Sequence, residues 1–423
     1  MIKEINFKKL FISFIIFNIF YAIFYLYFKH EVGNDSSISE WLINYHGGFT
    51  RRGLGGEINI LWTNIFSISL RDAIFFSQAT IHTLYLILLF FYLKDLKLNI
   101  YQFFALFAPI FILYPIAELE ALGRKELLIF LFFICTLFFA DKNFNLKIIN
   151  LFIFIFFPIV CLIWEEIILF APYFAVILIQ KNKLVTFKET FLKLLIIFLP
   201  TILVISIIFA FPLSKDGHSL MCSFLQLEYN ERCYMSAELL VKNTIYFDTF
   251  FIHERASFFP HYFRYLMIFF VGFMPLHLSI FKNEFNEKDN FVTKNFKPIQ
   301  LYLILYLPIL LLFAFGHDWG RWIHITYSFS ILLYFYFLKN SLISNNFYNY
   351  IFIDWIFKKK SILIFTFFIF AFFWNPKTLL TGDIATNSLY KIIYNSSKII
   401  FNFNGLRIFQ DNPIIKFHKN FLE

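Results

Sequence analysis

The sequence predicts an all-α, polytopic integral membrane protein. Three observations carry this. Of the 423 residues, 59% are hydrophobic and only 15% are charged, against about 25% charged in soluble globular domains. The apolar residues fall into long runs, and a bilayer span needs about 20 largely apolar residues, or about 17 at the short end. The cytoplasmic segments between runs are too short for a separate catalytic domain, so residues 1–423 read as a single membrane domain. The same composition excludes disorder, collagen-like repeats and a disulfide scaffold. A net charge of +9 would suggest a nucleic-acid partner in a soluble domain; here it reads as charge that orients helices, and no nucleic acid is expected. The 67 Phe read as codon usage and lipid-facing bulk.

Eleven spans are expected, near residues 10–28, 73–93, 100–117, 127–140, 148–164, 166–180, 194–212, 264–281, 301–316, 325–338 and 361–374. Lys3, Lys8 and Lys9 precede the first, which puts the N-terminus in the cytoplasm. No small-residue cleavage site follows that run, so it reads as an anchor. Between 148 and 180 the Trp164-Glu165-Glu166 triplet interrupts an apolar stretch of 33 residues. Lys147 at one end and Lys181 and Lys183 at the other favour two passes there. Alternation then assigns 1–9, 94–99, 141–147, 181–193, 282–300 and 339–360 to the cytoplasm. The last of these reads as a surface helix at the headgroups. The outer segments are 29–72, 117–126, the 164–166 tip, 213–263, 317–324 and 375–423. The long loops 29–72 and 213–263 and the tail 375–423 all fall outside, where a site has room. Cys135 and Cys161 lie in apolar runs and read as core. Cys222 and Cys233 share one polar outer loop, where a disulfide and two free thiols are both open.

The basic residues divide by type. Nineteen of the 28 Lys fall in the cytoplasmic segments, and none of the nine Arg does. Arg51, Arg52, Arg71, Arg124, Arg232, Arg255, Arg264, Arg321 and Arg407 lie outside or at the outer membrane edge. Lys suffices for topology, while the planar guanidinium fork matches phosphate and carboxylate.

Four short segments could carry chemistry. The first outer loop holds His46-Gly47-Gly48-Phe49-Thr50-Arg51-Arg52-Gly53-Leu54-Gly55-Gly56-Glu57. Glycine lets a backbone turn tightly and offer N–H groups to an anion, and two Arg add charge. A bent loop binding lipid headgroups is the other reading. The second loop runs from Glu118 to Glu126, with Glu120 and Arg124 four apart and able to pair on one helical face, and with Lys125 beside them. The third is Glu165-Glu166, adjacent carboxylates near apolar surface, whose repulsion and desolvation suit a general acid or base. The fourth is His317-Asp318-Trp319-Gly320-Arg321-Trp322, with Asp318 and Arg321 three apart. Salt-bridged turns and an interfacial Trp belt are the structural alternatives for these. The His residues of 213–263 lack metal-ligand spacing, so no metal is expected. No Asp-x-Asp, Gly-x-Ser-x-Gly, His-Glu-x-x-His or nucleotide-binding loop occurs, and no cofactor is expected.

These motifs and the multi-span layout resemble integral-membrane glycosyltransferases and O-antigen or capsule repeat-unit polymerases. The resemblance rests on the Gly-rich double-Arg run 47–56, Leu-Gly-Arg-Lys-Glu (122–126), Trp-Glu-Glu (164–166) and His-Asp-Trp-Gly-Arg-Trp (317–322). It implies a bacterial inner-membrane enzyme working outside the cytoplasm, with a polyprenyl-linked oligosaccharide as donor and acceptor. Other polysaccharide-assembly membrane proteins would be its partners. Arg51, Arg52, Arg124 and Arg321 would clamp the diphosphate, with Lys125, Glu120, His46 and His317 lining the substrate site. Asp318, Glu165 or Glu166 would handle the acceptor proton. An acidic residue in the first outer loop is frequent in the multi-span class, and Glu40 and Glu57 match by position. A transporter or flippase of lipid-linked sugars is one alternative, and a non-catalytic assembly scaffold another. Convergence of the four motifs, or their spread along a path through the membrane, separates the first two.

Overall fold

The structure is a computed structural model. It describes residues 7–31, 36–141, 144–238, 240–241, 259–281, 283–344, 359–379 and 387–401. Lys3, His253, Glu254, Arg255, Arg407 and most of the expected surface helix 339–360 lie outside the described residues. Among the described residues the structure is helical with no strand.

The chain forms α1 (Phe7–His30), α2 (Ser36–Leu42), α3 (Leu54–Phe66), α4 (Leu70–Leu93), α5 (Ile100–Leu106), α6 (Tyr114–Ala117) and α7 (Glu126–Ala140). α8 (Leu146–Ile163) leads through a 3₁₀ turn (Glu165–Phe170) into α9 (Ala171–Asn182). Then come α10 (Phe187–Ala210), α11 (Lys215–Tyr229), α12 (Met235–Glu238), α13 (Phe259–Ile280), α14 (Phe291–Asn295), α15 (Pro298–Tyr306) and α16 (Leu310–Phe315). α17 (Trp319–Lys339), α18 (Lys360–Phe372) and α19 (Ser388–Phe401) complete the order.

Local chemistry sets the boundaries. Ser69 caps α4 by accepting from the Asp72 amide, and Thr186 with Glu189 forms a reciprocal box that starts α10. Five helices, namely Lys8–His30, Leu70–Leu93, Leu146–Ile163, Phe187–Ala210 and Tyr262–Ile280, are long and apolar enough to cross a membrane. Three shorter apolar stretches, Glu126–Ala140, Pro298–Ala314 and Lys360–Phe372, accompany them. The chain is therefore a helical, membrane-embedded protein. Two expected spans are not single helices. The 100–117 run breaks into α5 and α6 around Pro109, and the 301–316 run breaks into α15 and α16 around Pro308. A proline lacks the N–H that would continue each ladder.

The 148–180 stretch is a hairpin. Asn150 and Asn182, at the far ends of α8 and α9, exchange side-chain hydrogen bonds of 3.1 and 3.0 Å. The turn is therefore at Trp164-Glu165-Glu166, where the apolar stretch is interrupted.

α17 is the core. Residues 320 to 337 are buried all round, as expected of a helix enclosed by others. Its polar groups tie it to its neighbours. Tyr173 of α9 bonds Ser330 at 2.9 Å, Gln102 of α5 donates to Tyr334 at 2.8 Å, and Tyr327 donates to the Ala105 carbonyl at 2.7 Å. At the other extreme, α10 is mostly exposed and presents Ile196, Leu199 and Leu203 outward.

The helices give the bundle two unlike ends. At one, Asp141 pairs with Lys339 at 2.9 Å and accepts from Lys181 through its carbonyl at 2.6 Å, while Leu184 receives the Phe291 amide at 2.6 Å. The opposite end holds the N-termini of α3, α7 and α17 and the 164–166 turn. Covering its first loop is α11, closed by a Cys222–Cys233 disulfide. Cys161 is a free thiol buried in the core, and Cys135 is a half-buried one.

Candidate active site

The first outer loop is folded tightly onto the bundle. A side chain at Gly56 would meet the Ile43 carbonyl oxygen at 2.0 Å, and one at Gly47 would meet the Gly217 carbonyl of α11 at 1.9 Å. Glycine at these two positions serves backbone packing. Gly56→Ala is expected to destabilise the protein by about 1–3 kcal/mol, as overpacking does; thermal unfolding of the purified protein checks this.

That packing delivers Arg51 and Arg52 inward. Arg52 has a left-handed backbone, φ 64°, which costs a non-glycine residue about 1 kcal/mol or more. Its side chain explains why the conformation is held. Nε donates to both oxygens of Glu165, at 3.1 and 2.9 Å, and Nη2 donates to Glu166 at 2.5 Å. Arg51 adds a 3.2 Å bond to Glu165. The 164–166 turn therefore aims both carboxylates at the first loop.

The other two motifs join the same cluster. Arg124 pairs with Glu40 of α2. Arg321, in the first turn of α17, pairs with Asp318 and with Glu126 at the start of α7, and lies 3.8 Å from Glu40. Lys125 is fully buried and donates to the Arg52 carbonyl at 2.9 Å. The Arg321 guanidinium lies 5.2 Å above the Trp322 ring, which neighbours Trp164 at 6.4 Å. Eight predicted residues thus converge: Arg51, Arg52, Arg124, Lys125, Glu165, Glu166, Asp318 and Arg321.

Three predicted residues are placed differently. Glu120 is exposed and does not pair with Arg124 through its carboxylate, because 118–123 forms turns instead of a helix; only its carbonyl accepts from Arg124, at 2.8 Å. The ring of His46 stacks on Phe224 of α11 at 3.4 Å, with Nδ1 3.7 Å from Glu57. His317 is half-buried in the turn before Asp318. Glu57 accepts the Tyr45 amide at 2.6 Å, away from the cluster. Glu126 is not among the expected site residues, and Glu40 enters them only through the resemblance. The available signal for Glu40 was a lone acid inside the apolar run Ile38-Ser39-Glu40-Trp41-Leu42.

Electrostatics separate the carboxylates. Burial pushes Glu165 up, but Arg52 and Arg51 outweigh it and hold the carboxyl down to about 2. Burial dominates at Glu166; Arg52 relieves it only in part, neighbouring Glu165 adds repulsion, and the carboxyl is pushed up to about 7. Glu40 is buried too, yet Arg124 and Arg321 hold it below the usual carboxylate value. Several buried polar atoms of the cluster lack a hydrogen-bond partner: Glu40 Oε2, Glu126 Oε2, Glu166 Oε2, Arg321 Nε, Trp164 Nε1 and Trp322 Nε1. Donors and acceptors are both represented, which suits a ligand or waters bearing hydroxyl groups.

The arginines expected to clamp phosphate are all ion-paired within the protein, each neutralised by an internal carboxylate. An anionic ligand would have to displace one, and the half-buried Arg51 and Arg52, 26% and 18% exposed, are the most accessible. A separate buried pair, Glu118 with Lys391 of α19 at 2.9 Å, holds α19 against α6.

The fold and cluster thus define a helical membrane protein with a buried ion-pair site at one end of its bundle. No protein-family model, curated protein or solved structure matches the chain.

Proposed function

We propose that the protein is a glycosyltransferase of the bacterial inner membrane, acting at the extracytoplasmic face as a repeat-unit polymerase on polyprenyl-diphosphate-linked glycans. The observation that carries this reading is the convergence of four distant motifs on one cluster at a single end of the bundle. A transport path would favour polar groups near the membrane midplane. Two features support an outward-facing cluster. The disulfide lies at its end, and disulfides persist in oxidising compartments. Lys181, Lys183 and Lys339 gather at the other end, which suits the cytoplasm. The eleven-span layout with a cytoplasmic N-terminus belongs to the same proposal.

The chemistry follows from the ion pairs. The donor diphosphate displaces Glu166 from Arg52 and takes its place beside Arg51. The acceptor hydroxyl oxygen attacks the anomeric carbon, and its proton passes to Glu166. The glycosidic bond to the diphosphate breaks, and its electron pair leaves on a diphosphate oxygen stabilised by the guanidiniums. Glu165, held ionised, keeps the two arginines in place. Arg321, already paired with Glu126, orients the site from α17. Asp318→Asn removes one of three carboxylate partners of Arg321, so chain growth should slow about tenfold rather than stop. Gel profiles of surface glycan from complemented deletion cells check this, and unchanged profiles would remove Asp318 from the site. Deleting the gene itself should leave glycans of one repeat unit. Normal-length glycan in the deletion strain would refute the polymerase reading.

A further inference from the structure

We infer that Lys125 is the group through which the cluster takes up and releases a proton, and that it fixes the left-handed turn at Arg52. The inference uses the cluster's geometry and holds whatever reaction the cluster performs. Five carboxylates, Glu40, Glu126, Glu165, Glu166 and Asp318, face four guanidiniums, Arg51, Arg52, Arg124 and Arg321. Guanidiniums do not release protons in proteins. The cluster is therefore neutral only if Lys125 is an ammonium or one carboxylate is protonated.

Lys125 is built for this exchange. Each arginine has a carboxylate partner within ion-pair distance, whereas Lys125 spends its contact on the Arg52 carbonyl, at 2.9 Å. Its side chain is enclosed by the Trp41 ring, 5.6 Å from Nζ, and by Gly55 of α3, where an added Cβ would sit 3.4 Å from Nζ. The charges that face it come from every side: Glu40 from α2, Arg52 from the first loop, Glu165 from the 3₁₀ turn and Glu126 from α7. Burial and Arg52 draw the ammonium down to about 7, against the pull of the three carboxylates. The bond to the Arg52 carbonyl also accounts for the φ of 64° there. A donor at that oxygen holds the peptide in the orientation that sends the side chain to Glu165 and Glu166.

The test uses the purified full-length protein in detergent and needs no substrate. Thermal unfolding is followed against pH for wild type, Lys125→Arg and Lys125→Met. Lys125 is depressed in the folded state relative to its ordinary 10.5, so between about pH 7 and pH 10 unfolding takes up a proton. Wild-type stability should therefore rise across that window, by several degrees in unfolding midpoint, and both variants should lack the rise. Glu166, pushed up to about 7, titrates at the lower edge of this window with the opposite sign, and it is present in wild type and variants alike, so the difference between their curves reads Lys125. Amide exchange of residues 51–57 reads the second role: Lys125→Met should speed it severalfold, and Lys125→Arg, which keeps a donor, should not. If Lys125→Met does not fold, Lys125→Gln replaces it. Identical pH curves in wild type and variants overturn the proton role. Unchanged exchange after loss of the side chain overturns the role at Arg52. Loss of glycan synthesis alone would bear on the reaction and on neither role.

Discussion

Arg52→Lys is expected to abolish chain growth nearly as completely as Arg52→Ala, with a loss of at least about 10²-fold in rate. The charge is conserved, so the effect isolates the fork. Arg52 uses Nε on both oxygens of Glu165 and Nη2 on Glu166, a planar arrangement that a point-charge ammonium cannot reproduce. Lysine would leave one carboxylate without its cation inside a buried site. Breaking such a pair costs about 3–5 kcal/mol, so the variant should also unfold at lower temperature. Folding is checked separately by expression level and by disulfide formation at Cys222–Cys233. A folded Arg52→Lys protein that restores full-length glycan would remove the fork from the mechanism.

Glu165→Gln and Glu166→Gln should fail in opposite ways, although the residues are adjacent. Glu166→Gln removes the proton acceptor, and a loss of about 10²–10⁴-fold in turnover is expected with the fold retained. Glu165→Gln leaves Arg51 and Arg52 without their shared carboxylate and should destabilise by about 3–5 kcal/mol. Their pH signatures differ in sign. The Glu166 carboxyl is raised to about 7 in the folded state. Its contribution to stability is full below about 4.5 and is lost as pH rises through about 7. The Glu165 carboxyl is held down to about 2, so its contribution is present above about 4.5 and lost as pH falls through about 2. Wild-type turnover should climb through about pH 7 as Glu166 becomes free to accept a proton. Unfolding midpoints measured across this range should lose the Glu166 limb in Glu166→Gln and keep it in a control variant at the exposed Glu120.

Much of the fold was legible because lipid imposes a simple pattern. Apolar runs marked the helices, and the charged interruption at Trp164-Glu165-Glu166 marked the hairpin turn. The misplaced elements have local causes. Pro109 and Pro308 interrupt runs whose average composition is apolar enough to span, and composition does not weigh a missing N–H. α17 reads as an unremarkable apolar segment, yet its Ser, Thr and Tyr hydroxyls make it the bundle's centre. At the site, motifs rich in Arg and Glu identified eight of the cluster's residues. Sequence spacing could not supply their partners. Arg124 sits four residues from Glu120 but pairs with Glu40, 84 positions away, because the intervening chain turns instead of coiling. The same limit hid the neutralisation of the arginines, which is a property of the assembled bundle.

The most direct test of the account is glycan extension by the purified protein in proteoliposomes supplied with polyprenyl-diphosphate-linked repeat units extracted from the deletion strain. The account predicts a ladder of lengthening glycans, with one polyprenyl diphosphate released per new bond, and no ladder with Arg52→Lys. A folded, disulfide-closed wild-type protein that yields no ladder, or an equal ladder from Arg52→Lys, would contradict it.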